Sequence, residues 1–341
     1  MTMKQKENSD MIDKVIENRL TAVLEAFVTG DAMGMATEFM TRKEIIRKFG
    51  GWVTHLIDTK DSKLHKDLPV GSVTDDSEEN LILMEEYEKM GEVTVEATVE
   101  GLLRWIRESD ALEKKYIGPS ASKALTDIKN GGSPYESGRG GTTCGGIMRT
   151  PCAFLFSPGQ DEDQLAVHIW RCLVPTHNTS EAMEAAGAYG FALRAAFLGE
   201  SFEEIIDAAM RGGERLLELV EEIHSAPSSS ARIKAVVIKS REMDECQLME
   251  WLHDVLGSGL SSADVCGAVF GAFAMAGGDV FKAVCMGASM GGDTDTIAAL
   301  AGALSTAFVG NHNIPGDILE TVKNVNHLDL AGLADRALEK K

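Results

Sequence analysis

The chain has 341 residues, 44% of them hydrophobic, and a formal net charge of -20. With a pI near 4.8 and a mean hydropathy of -0.07, this is the composition of a water-soluble globular protein with a sizeable core. The charge excludes a nucleic-acid surface, which needs clustered Lys and Arg.

In chain order, Ile12, Ile16, Leu20, Val23 and Phe27 keep a helical period. The spacing predicts a helix that glycine loosens at Gly30-Asp31-Ala32-Met33-Gly34, with Glu38 within two further turns. Residues 40–72 predict short helices and a loop leading to Val73-Thr74-Asp75-Asp76-Ser77. Helices are expected over Ser77 to Met90, Val95 to Glu108 and Ser120 to Asn130. A glycine-rich stretch, residues 131–151, follows; a loop this long inside a compact domain is usually functional. Glu181 to Leu198 reads as an interior helix of small residues, and Phe202 to Met210 and Glu214 to Ile223 as two more. Ala226-Pro227-Ser228-Ser229-Ser230 is the best linker candidate. Ala263 to Ala276, Phe281 to Met290 and Ile297 to Val309 are apolar helices. The last is too short for the ~18 residues of a membrane span. No strand-like alternation of length appears, so the fold class is all-α: a compact helical bundle around an alanine-rich core.

Met1 to Asp13 is polar, without a signal-like apolar stretch, and none of the six cysteines sits in a C-x-x-C pair. Reduced thiols and a cytoplasmic location are expected.

Two acidic clusters stand out, Thr74-Asp75-Asp76-Ser77 and Gly291-Gly292-Asp293-Thr294-Asp295-Thr296. Each precedes a helix-like run, so the ordinary reading of either one alone is a helix N-cap. Together they imply more. Two carboxylates ~4 Å apart repel by roughly 4 kcal/mol at an effective dielectric near 20. A pocket holding at least four of them needs cations or raised pKa values. An oxygen-only ligand set suits Mg²⁺ or Mn²⁺ rather than zinc.

Five segments in order resemble the ADP-ribosylglycohydrolase family: Gly30-Asp31-Ala32-Met33-Gly34 with Glu38, Thr74-Asp75-Asp76-Ser77, residues 117–130 with the glycine loop, Pro175-Thr176-His177, and Gly291 to Gly310 followed by Ile314-Pro315. The resemblance implies an orthogonal all-α fold over residues 19–341 with a binuclear centre of two Mg²⁺, or Mn²⁺. By motif position it implies the ligands Thr74, Asp75, Asp76, Asp293, Asp295 and Thr296, with Glu38 beside them as general base or proton donor. Asp75, Asp76 and Asp293 thereby join Glu38 in the catalytic set. Amides at Gly140, Gly141 and Thr142 are expected to cradle a diphosphate, and His177 to contact the ribose or diphosphate. One residue departs from the family pattern. Cys144 stands where asparagine is usual, and it is expected to tune the pocket rather than act as a nucleophile.

The implied activity is removal of ADP-ribose from modified protein side chains. Arginine is expected first, because a residual negative field favours a guanidinium leaving group. Hydrolysis of serine-linked or small ADP-ribose conjugates is the alternative. A further alternative is an immunity or binding protein whose partner is an ADP-ribosyltransferase toxin. No membrane or nucleic-acid partner is expected. Residues 1–18 are read as a helical extension, with a partner-contacting arm as the alternative.

Overall fold

A computed structural model of the protein describes residues 3–114, 117–221 and 223–339. Its elements are α1 (Met3–Gly34), α2 (Arg42–Phe49), α3 (Asp75–Met90), α4 (Val95–Ser109), α5 (Ala111–Lys114) and α6 (Pro119–Lys129). After the glycine-rich stretch come α7 (Thr150–Leu155), α8 (Glu162–Leu173), α9 (Ser180–Phe197), α10 (Phe202–Leu217), α11 (Ser229–Glu242) and α12 (Glu245–Trp251). The chain ends with α13 (Ser262–Ala276), α14 (Val280–Met290), α15 (Thr294–Val309), α16 (Gly316–Val325) and α17 (Leu330–Glu339). Among the described residues there is no strand, only an isolated bridge between Thr143 and Ser261. No helix among them is long and apolar enough to cross a membrane.

The centre of the bundle is α9. Its alanines, from Ala182 to Ala196, are buried on every side, as are Ala298, Ala299, Ala301 and Ala303 of α15. Small side chains let helix backbones approach closely, and this explains two departures from the sequence reading. Gly30 and Gly34 do not loosen α1, which runs unbroken to Gly34. They are where α1 lies against α15: a Cβ on Gly30 would stand 2.4 Å from the Ala298 carbonyl oxygen, and one on Gly34 2.3 Å from that of Thr294. Likewise, Gly212-Gly213 does not split the segment after α9, because α10 is one helix. A Cβ on Gly212 would lie 2.1 Å from the Gly187 carbonyl oxygen of α9. The helical penalty of glycine, about 1 kcal/mol, is offset by the packing that the contact permits.

The linker candidate Ala226–Ser230 is tied to α9. Glu184 of α9 accepts hydrogen bonds from Ser228 Oγ at 2.6 Å and from the amides of Ser229 and Ser230, both at 3.1 Å. Ser228 in turn caps α11, a helix the sequence reading missed. Residues 3–18 are continuous with the rest of α1, while residues 1 and 2 of the expected extension lie outside the described residues. Of the cysteines, all free, only Cys246 is exposed.

Candidate active site and cation centre

Two helices, α3 and α15, begin at the same place. At the start of α3, the Thr74 hydroxyl accepts from the Asp76 amide at 3.4 Å, closing the helix as an N-cap. Asp31 of α1 clamps this turn from behind. Its carboxylate accepts from the Thr74 amide at 3.0 Å, the Thr74 hydroxyl at 2.9 Å, the Ser77 amide at 3.0 Å and the Ser77 hydroxyl at 2.5 Å. Burial and the charge of Asp295 push the Asp31 carboxyl up to about 7, against the pull of those hydrogen bonds.

At the start of α15 the device differs. Asp293 occupies the N-cap position but its side chain makes no capping bond. The backbone shapes the turn instead. Gly291 and Gly292 take φ of 88° and 83°, a region that suits glycine. The Gly292 amide donates to the Met40 carbonyl at 2.9 Å, its carbonyl accepts from the Phe39 amide at 2.7 Å, and the Asp293 amide donates to the Ser258 carbonyl at 2.8 Å. Thr296, in the first turn, donates from Oγ1 to Asp76 Oδ2 at 3.1 Å and so joins the two clusters directly.

Both clusters open onto a cavity of about 390 Å³. Asp75, Asp76, Asp293, Asp295 and Glu38 supply its acidic wall, and Phe39, Ile117, Pro119 and Leu260 part of its apolar wall. Burial, then the neighbouring carboxylates, push Glu38, Asp75 and Asp76 well above the usual carboxylate range; burial and Asp295 do the same to Asp293. Asp76 Oδ1, Asp293 Oδ2 and Asp295 Oδ1 are buried without a hydrogen-bond partner. Orphaned anionic oxygens converging on a cavity are what a hard divalent cation would satisfy, so the residues present fit such a centre.

Not every expected residue reaches the cavity. Thr74 lies behind the wall, its hydroxyl held by Asp31 and its own cap. Gly140, Gly141 and Thr142 are not in the wall either. The Gly141 amide donates to the Gly138 carbonyl at 3.1 Å, and the Thr142 carbonyl accepts from the Ser262 amide at 2.9 Å. The stretch that does face the cavity is Thr143, Cys144 and Gly145. His177 supports that stretch from behind. Its ring is fully buried, with Nε2 3.0 Å from Thr143 Oγ1 and Nδ1 2.8 Å from Thr176 Oγ1. Burial and then Arg149 push the imidazole well below its usual range, which keeps it neutral. Arg149, itself fully buried, pairs with Glu79 at 3.0 Å and with the Thr176 hydroxyl. Cys144 lies in the wall, 4.0 Å from Thr296 Oγ1. Burial and the charge of Asp293 push its thiol well up, away from the thiolate that a nucleophile requires.

Three residues escaped the sequence reading. Asp31 stood within a quoted motif, where its lack of a local partner was the only signal. Glu79 lines the cavity one turn beyond Asp75, a spacing that the helix predicts. His65 reaches the wall from the loop before α3, with Nε2 2.5 Å from Glu38 Oε2. Nothing in its sequence surroundings marks it.

The helical fold thus encloses a carboxylate-walled cavity between two helix starts. The model of the ADP-ribosylglycohydrolase family matches residues 13–341, and the chain belongs to that family. It is 27% identical over 314 residues to the uncharacterized protein YegU of Escherichia coli (strain K12), covering 91% of this chain and 93% of that one. It is 23% identical over 334 residues to the ADP-ribosylarginine hydrolase Tri1 of Serratia proteamaculans (strain 568), covering 96% and 80%. A solved structure described as an ADP-ribosylglycohydrolase-related protein complex superposes with a TM-score of 0.71 at 23% identity, covering 96% of this chain and 99% of that one, and so shares the fold. Family membership supports ADP-ribosyl glycohydrolase activity, the hydrolysis of a glycosidic bond.

Proposed function

We propose that the protein is a divalent-cation-dependent hydrolase that removes ADP-ribose from modified protein side chains, with arginine the preferred linkage. The observation that carries this reading is the Thr296–Asp76 bond, which brings two acidic helix starts together around a cavity with three orphaned carboxylate oxygens.

Asp75, Asp76, Asp293, Asp295 and Thr296 would hold two Mg²⁺ or Mn²⁺ ions, with Thr74 backing them. Such ions supply Lewis acidity and a more acidic bound water. The apolar wall of Phe39, Ile117, Pro119 and Leu260 excludes bulk water from the reacting sugar. Glu38 moves the proton: water gives its oxygen to the anomeric carbon, the bond to the side-chain nitrogen breaks, and that nitrogen leaves with the proton. Without a bound ion, His65 holds the Glu38 carboxylate at the wall through Nε2. Five carboxylates against two divalent ions leave a residual negative field, and this favours a guanidinium leaving group over a neutral hydroxyl. Cys144 shapes the pocket wall. The similarity to the ADP-ribosylarginine hydrolase Tri1 points the same way.

The test compares arginine-linked and serine-linked ADP-ribosyl peptides at equal concentration, with and without EDTA. Faster release from the arginine peptide, abolished by EDTA and restored by Mg²⁺ or Mn²⁺, is expected. Faster release from the serine peptide overturns the linkage. Activity that survives EDTA overturns the cation dependence. No release from either peptide, with ADP-ribose still bound, makes the protein a binding partner rather than an enzyme.

A further inference from the structure

A site built from Asp and Thr alone offers only oxygen. The folded chain adds a nitrogen. His65, Glu38 and Asp295 each present one ligand atom, and these atoms all lie within 4.8 Å of one another. All three residues are buried, exposed by 7%, 8% and 2% respectively. Asp295 Oδ1 has no hydrogen-bond partner. His65 is also fixed rather than loosely placed. Its amide and that of Leu64 donate to Ser62 Oγ at 3.0 and 3.3 Å. Thr59 Oγ1 donates to the Leu68 carbonyl at 2.7 Å, bracing the loop across its base. Lys63 Nζ donates to the Phe39 carbonyl at 2.7 Å and pairs with Glu44 at 2.8 Å. The loop that carries His65 is thus tied to the segment that carries Glu38.

We infer that His65 is a nitrogen ligand of the cation centre, joining Asp295 at the end of the centre beside Glu38, with the ion replacing the proton of the His65–Glu38 contact, and that it tilts the centre's selectivity away from Mg²⁺ toward first-row transition ions. The inference rests on reading the acidic cluster as a divalent-cation centre. Mg²⁺ binds through oxygen and gives up its waters reluctantly. Imidazole suits the later first-row divalent ions, whose affinity for nitrogen-containing sites rises along the series. One buried imidazole beside two carboxylates therefore separates ions that an all-oxygen site treats more alike.

The test is on binding and needs no turnover. The protein, freed of metal, is titrated with Co²⁺ and separately with Mg²⁺, as the native chain and as His65→Asn, which replaces nitrogen with an amide. The preference for Co²⁺ over Mg²⁺ is expected to fall about tenfold or more in His65→Asn, on the scale by which metal-site partners change affinity. Pulsed EPR of the native chain loaded with Mn²⁺ supplies a readout that does not depend on the variant's folding. Modulation from an imidazole ¹⁴N is expected in the native chain. Its absence overturns the inference, as does an unchanged preference in a folded His65→Asn. No saturable binding of any of these ions overturns the cation-centre reading itself, and that outcome is distinct from the other two.

Discussion

The starts of α3 and α15 meet at one cavity but are built in opposite ways. At α3, side chains do the closing: Thr74 caps the helix and Asp31 clamps Thr74 and Ser77. At α15 the backbone does it, through two positive-φ glycines and amide–carbonyl contacts to Phe39, Met40 and Ser258. The difference shows how a helix start, ordinarily a place where Asp serves its own backbone, can present free carboxylates. Either another residue takes over the capping, as Thr74 does for Asp75 and Asp76, or the preceding turn removes the need, as at Asp293.

The strongest way to break the comparison is Asp293→Asn. The α15 turn does not depend on this side chain, so the fold should survive while hydrolysis falls about a thousandfold, equivalent to roughly 4 kcal/mol. In EDTA the variant should melt at or above the native temperature. The sign follows from the raised carboxyl: its ionised form opposes folding, so native stability is lost as pH rises, and the gap in Tm should widen with pH. Near-native turnover at limiting Mg²⁺ would remove Asp293 from the centre. Gly292→Ala attacks the backbone device. A Cβ there would lie 1.9 Å from the Ser258 carbonyl oxygen, at a φ of 83°. A loss of about 3 kcal/mol is expected in urea unfolding; a loss under about 1 kcal/mol would mean that the turn yields easily.

Asp31→Asn tests the side-chain device. An amide nitrogen would face donors from Thr74 and Ser77, so a loss of about 2 kcal/mol is expected, with hydrolysis falling as Asp75 and Asp76 lose their seat. Unchanged stability would show that Thr74 alone suffices. The smallest effect belongs to Cys144→Ala, which should leave kcat within about threefold, since burial and the charge of Asp293 disfavour the thiolate. A variant that binds ADP-ribose yet does not turn over would overturn this and make Cys144 a candidate nucleophile.

Much of this was legible beforehand. The acidic clusters, Glu38 and the alanine-rich interior were all readable, because short motifs and residue size carry them. Misreadings arose where a local rule met a tertiary contact. Gly30, Gly34 and Gly212 break helices only in isolation; against Ala298, Thr294 and Gly187 they bring helices together. Backbone amides at Gly140 to Thr142 look free in a glycine-rich string, but the Gly141 amide is taken by the Gly138 carbonyl, and the folded loop turns Thr143 to Gly145 toward the cavity instead. His65 was illegible for a plainer reason: a histidine in a polar loop has no periodicity, and only the folded path brings it to Glu38.

The Thr296–Asp76 contact spans 220 positions of chain. Closing so long a loop costs entropy that nearby contacts must already have offset. α15 is also synthesised long after α3. A growing chain therefore carries Asp75 and Asp76 without their partners until the intervening 220 positions have been made, as an incomplete and strongly acidic half-site. The carboxylate-walled pocket comes into being only when α15 docks on α3, so its maturation waits on that late contact.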